Sequence, residues 1–156
     1  MPGWYNRARR FLSYEKRYVL GELQMKKKEL DILKTLFRRY PEIKLVYFFG
    51  SRAERSYGPL SDYDFAVYFG EIKSNRMFSI KIELIAQISA ILKSDRIDIV
   101  ILNLTKSPEL KYAILKQGVL VFEKEPFKVI VEPKILNEYF DFHKILSRYG
   151  LTKASA

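Results

Sequence analysis

Cysteine is missing from this 156-residue chain, and histidine occurs once, at His143. Without thiols there is neither a disulfide framework nor a thiolate metal centre. One imidazole is too few for a histidine-built zinc site. No apolar run is long enough to cross a bilayer, and the N-terminus lacks the uninterrupted apolar core of a signal peptide, so a cytoplasmic protein is expected. Internal repeats and low-complexity linkers are absent too. What is present is a composition 48% hydrophobic and 15% aromatic, which belongs to a folded chain able to bury a core. Against 18 acidic residues stand 28 lysines and arginines, a formal net charge of +10. That balance favours an anionic partner, whether nucleotide, nucleic acid or an acidic protein surface. It is equally explained by solvated lysines on helix faces, as in proteins rich in surface charge.

The chain is organised around residues 45–67, LVYFFGSRAERSYGPLSDYDFAV. Leu45 to Phe49 reads as a buried strand that stops at Gly50-Ser51, where a residue without a side chain lets backbone approach a ligand. Phe65 to Phe69 reads as a second strand, preceded by Ser61 and Asp62-Tyr63-Asp64. Strand alternation puts Asp62 and Asp64 on one face. Two carboxylates so close raise each other's pKa unless a cation lies between them, and magnesium suits one or two carboxylates together with substrate phosphates. A Gly-Ser turn for phosphates and an Asp-x-Asp pair for metal make up the two halves of a nucleoside-triphosphate site.

Taken in order, residues 1–24 form an aromatic and basic extension whose Tyr14, Tyr18 and Val19 spacing permits a helix. Arginines interleaved with aromatics also occur in nucleic-acid binders. A helix is expected from Gly21 to Tyr40, ended by Pro41. A strand follows at Ile43 to Phe49. Ser74 or Asn75 is positioned to cap a helix through Leu92. Arg96 to Asn103 reads as a strand in which Asp98 is the lone acid among Ile97, Ile99, Val100 and Ile101. A carboxylate among such neighbours calls for a partner. Beside the strand bearing Asp62 and Asp64 it completes a triad; otherwise it pairs with Arg96. Thr105 to Gln117 reads as a helix closed by Gly118, Val119 to Phe122 as a strand, and Phe127 to Val131 as an edge strand. Pro133 then suits the first turn of a terminal helix carrying Leu136, Tyr139, Phe140 and Tyr149, with Gly150 at its end.

The pattern Gly50-Ser51, ten residues, Asp62-x-Asp64 resembles the signature of the DNA polymerase β superfamily of nucleotidyltransferases. Its four fixed positions co-occur by chance in only on the order of one in 500 chains of this length. Arg52, Ala53, Ser61 and Phe65, with the short chain, resemble the minimal nucleotidyltransferases, the MNT family. The resemblance implies an α/β (α+β) nucleotidyltransferase fold, a small mixed sheet flanked by helices, in one domain over 25–156 with a C-terminal helix. It implies two magnesium ions on Asp62, Asp64 and Asp98, with ATP as substrate and its phosphates held by Gly50, Ser51 and Arg52. It further implies a HEPN-type ribonuclease toxin as partner, silenced when AMP is placed on one of its tyrosines. Alternatives are transfer to an RNA end or a small molecule, or a non-catalytic antitoxin that masks its partner. One departure stands out: many relatives carry Arg-Gly after the alanine of the turn, where this chain has Glu54-Arg55 and its glycine only at Gly58.

Overall fold

A computed structural model describes residues 25–50 and 62–151. The N-terminal extension, Ser51, Arg52, Glu54, Arg55, Gly58 and Ser61 lie outside the described residues. Helix α1 (Lys27–Arg38) is followed by β1 (Ile43–Phe49), β2 (Tyr63–Phe69), α2 (Ser74–Leu92) and β3 (Ile97–Ile101). A 3-10 turn (Leu102–Leu104), α3 (Pro108–Gln117), β4 (Val119–Glu123) and α4 (Phe127–Arg148) complete the order. The four strands form one mixed sheet in the order β3-β2-β1-β4. Only β2 and β3 run parallel; β1 is antiparallel to both of its neighbours.

Strand alternation divides the side chains between two faces, and each face is covered by a helix pair. Phe48, Phe65, Val67, Phe69 and Ile99 point to the side where α1 supplies Leu30, Leu33 and Phe37 and α2 supplies Ile80, Leu84 and Ile88. Phe37, Phe48 and Phe65 are each fully buried, an environment that contributes roughly 1.5–3 kcal/mol per side chain. Leu45, Tyr47 and Ala66 point to the other side, under Ile114 of α3 and Val131 and Ile135 of α4. Burial on both faces explains why β1 reads as a continuous apolar run rather than an alternating one.

Local signals account for most of the helix limits. Lys26 N–H donates to Glu29 Oε2 at 3.1 Å at the start of α1, which begins at Lys27; the expected start at Gly21 lies outside the described residues. Its end before Pro41 follows from the restricted backbone of the preceding residue. Ser107 caps α3 by accepting from Leu110 N–H at 3.1 Å, with Pro108 in the first turn. Asn103 continues the β2 ladder where β3 has ended: its Oδ1 accepts from Phe69 N–H at 2.8 Å and its Nδ2 donates to Phe69 C=O at 2.9 Å.

One expected strand is a helix. Residues Phe127 to Val131 form the first turn of α4, and Pro133, expected to open that helix, lies inside it. Phe127, Val131 and Ile135 recur every four residues and pack against the sheet, while Val129 and Ile130 face outward. The β-branched run satisfies helix periodicity once the sheet supplies a surface, and that surface outweighs strand propensity. Among the described residues no helix is long and apolar enough to cross a membrane.

Candidate active site

Three chain segments meet at one end of the sheet. There β1 finishes at Phe49, β2 begins at Tyr63 and the parallel β3 begins at Ile97. The register pairs Phe49 with Asp64 across β1/β2, and Asp64 with Asp98 across β2/β3. Asp64 alternates with Ala66, so all three occupy the face covered farther along by α3 and α4. Neighbouring strands lie about 4.8 Å apart, which holds two carboxylates side by side with an aromatic residue flanking them.

Gly50 closes the row. Its φ of +79° is the left-handed conformation that suits glycine, and a Cβ there would overlap the Asp64 carboxylate. The glycine therefore makes room for an acidic side chain of the site. Ser51 and Arg52, expected with Gly50 to hold phosphates, lie outside the described residues.

The electrostatics of the row are those of crowded like charges. Partial burial first, then the nearby charges of Asp98 and Asp62, hold the Asp64 carboxyl above the usual carboxylate range. Asp62, just ahead of β2, has a counter-ion: its Oδ1 lies 3.6 Å from Arg96 Nη1. Asp64 and Asp98 thus share a rung while the third expected ligand faces a cation. Consistent with this, among the described residues no three acidic or histidine side chains are arranged to hold a metal ion.

Two features of the site escaped sequence reasoning. Arg96, the alternative partner expected for Asp98, meets Asp62; the register that decides between them is a property of the β2/β3 pairing. From sequence Phe49 is no more than the end of a buried strand. Its place immediately before Gly50 was the available signal that it borders the site.

A family model described as polymerase beta nucleotidyltransferase matches residues 31–127, more than half of the chain and every one of these acids. The chain belongs to the polymerase beta nucleotidyltransferase family. Its fold is also that of several solved members of toxin–antitoxin complexes. A chain from the toxin-antitoxin with AMP-PNP is 25% identical, covering 78% of this chain and 94% of its own length at a TM-score of 0.63. A chain from the tri-AMPylated Shewanella oneidensis HEPN toxin in complex with MNT antitoxin is 22% identical, covering 80% and 95% at a TM-score of 0.60. A chain from the toxin-antitoxin MntA-HepT is also 22% identical, covering 80% and 95% at 0.61. No curated protein matches this family member significantly.

Proposed function

We propose that this nucleotidyltransferase uses magnesium to transfer AMP from ATP to a tyrosine of a HEPN-type ribonuclease toxin, and that it acts in the cytoplasm as the antitoxin. The observation that carries the chemistry is the facing of Asp64 and Asp98 across the parallel rung, with Gly50 against Asp64. Two similarities of fold support the donor and acceptor: one relative is a toxin-antitoxin with AMP-PNP, and another is a complex whose HEPN toxin is tri-AMPylated.

The residues fit magnesium. Asp62, Asp64 and Asp98 are hard oxygen donors; burial raises the Asp64 pKa first and the charges of Asp98 and Asp62 add to it, and that like-charge part is what a divalent cation relieves. These three would hold two ions once Asp62 turns away from Arg96. When bound, the ions supply neutralisation of the triphosphate and of the charge that develops on the leaving pyrophosphate.

The remaining steps belong to the chain. Gly50 backbone, Ser51 and Arg52 hold the distal phosphates, fixing the α-phosphorus beside the carboxylate row. Asp98 takes the proton from the tyrosine hydroxyl as its oxygen bonds to the α-phosphorus. The bond from that phosphorus to the β-phosphate oxygen breaks, and pyrophosphate departs. Positioned proton transfer of this kind contributes about 10²–10⁴-fold, so Asp98→Asn is expected to slow transfer by at least about a hundred-fold.

The test is incubation of the purified protein with magnesium, a HEPN-type toxin and ATP labelled in its α-phosphate. Label on a toxin tyrosine is the expected outcome. Label on an RNA end or a small molecule instead would replace the acceptor. A tight complex carrying no label would replace catalysis with masking.

A further inference from the structure

We propose that Arg96 is a built-in competitor for the metal site: its guanidinium holds the Asp62 carboxylate in the metal-free protein, and a divalent cation must displace it. The inference rests on the proposed reading of Asp62 as a metal ligand and adds a counter-ion that regulates access to it.

The pairing follows from the ladder. Tyr63 pairs with Ile97 and Asp64 with Asp98, so the same register, carried back one residue, sets Asp62 opposite Arg96. The Arg96 backbone is fixed from both sides: its carbonyl accepts from Tyr63 N–H at 2.8 Å, and its N–H donates to Ser94 Oγ at 3.1 Å. The side chain therefore starts from a fixed point beside Asp62, and its Nη1 lies 3.6 Å from the carboxylate. Opposite charges at facing positions attract, whereas the like charges of Asp64 and Asp98 two residues farther on repel. One face thus presents three carboxylates and one guanidinium, and the cation is spent on the carboxylate that lies outside the β2 ladder.

Two consequences follow. The repulsion among the three acids is eased in part, because Arg96 offsets the charge of one of them. Metal entry carries the cost of breaking the pair. Both side chains are about half exposed, 46% for Arg96 and 54% for Asp62. Exposed pairs of this type are weak, so removing the competitor is expected to tighten metal binding only about two- to five-fold.

The experiment is a titration of the whole protein with Mn²⁺, without nucleotide, read as the loss of the free-ion signal in electron paramagnetic resonance. Arg96→Met and Arg96→Gln are both made, with far-UV circular dichroism to establish that at least one is folded. Either is expected to bind Mn²⁺ about two- to five-fold more tightly than wild type, and Arg96→Lys to lie close to wild type. In an Asp62→Asn background the same substitutions are expected to lose that gain. Unchanged or weaker Mn²⁺ binding by the folded Arg96 variant would overturn the competitor role. So would a gain that persists undiminished with Asp62→Asn, which would make it a general charge effect. Wild-type protein that binds no Mn²⁺ would overturn the carboxylate metal site itself, an outcome distinct from failure of the Arg96 role.

Discussion

Gly50 and Asp64 illustrate how strongly individual residues are tied to one another at the site. A methyl group at position 50 meets the Asp64 carboxylate and must also adopt a positive φ. The left-handed backbone alone costs about 1–2 kcal/mol for an L side chain. Gly50→Ala is therefore expected to lower the free energy of unfolding by at least that much in urea titrations, and to abolish nucleotide transfer. Asp64 itself makes a stability prediction with a definite sign. Its carboxyl titrates above the usual range in the folded chain because of burial and the charges of Asp98 and Asp62. The native state then holds the proton more tightly than the unfolded state. The favourable contribution is fully present below the unfolded carboxylate pKa and disappears as pH rises through the elevated folded value. At neutral pH, in the presence of a chelator, Asp64→Asn is expected to melt at a higher temperature than wild type. The difference is expected to vanish in acid, and magnesium is expected to raise the melting temperature of wild type but not of the variant.

Helix α4 shows what periodicity conveys and where it misleads. The stripes of α1 and α2 are legible because their burial repeats at the helix period, and β1 and β2 because burial on both faces makes each a continuous apolar run within one segment. The start of α4 is not, since Phe127 to Val131 has a strand-like composition and becomes helical only against the sheet. The Asp62–Arg96 pair is hidden for a related reason: facing residues belong to different strands, and register is a tertiary property; the meeting of Asp98 with Asp64, expected from a lone acid in an apolar strand, is what the β2/β3 register shows. Two substitutions test how α4 is held. Tyr47, buried in β1, donates its hydroxyl to Glu132 Oε1 at 2.8 Å, and burial followed by the Glu132 charge raises its pKa strongly. Tyr47→Phe leaves the part-buried carboxylate without this donor and is expected to cost about 1–3 kcal/mol of stability by urea titration. Pro133 lies within the helix and cannot donate to the carbonyl four residues back. Pro133→Ala is expected to raise stability, by up to about 3 kcal/mol on the helix-interior scale and by less after the unfolded chain regains freedom.

At the scale of the whole molecule, the two helix pairs cover both sheet faces, and the carboxylate row lies at the strand ends, beside Gly50. Asp62 and Asp98 are exposed and Asp64 is half-buried, so the carboxylates stand at the margin of the core and outside its interior. This separation permits an enzyme to be distinguished from a mask by stoichiometry. A masking antitoxin silences one toxin per molecule bound, whatever the ATP concentration. An adenylyltransferase releases modified toxin and acts again. With the toxin in about twenty-fold molar excess, ribonuclease activity is expected to fall progressively toward zero when ATP and magnesium are present. It is expected to fall by no more than the bound fraction when ATP is withheld or when Asp64→Asn replaces wild type. A substoichiometric loss that is independent of ATP, or a silencing that stops at one equivalent in its presence, would separate antitoxin action from the carboxylate row. The net charge of +10 adds a second dimension to the same assay. If recognition of the toxin draws on the basic surface, raising salt through the range where the Debye length falls from about 10 Å to about 3 Å is expected to slow silencing at limiting toxin. At saturating toxin, where encounter no longer limits the rate, the effect is expected to be smaller.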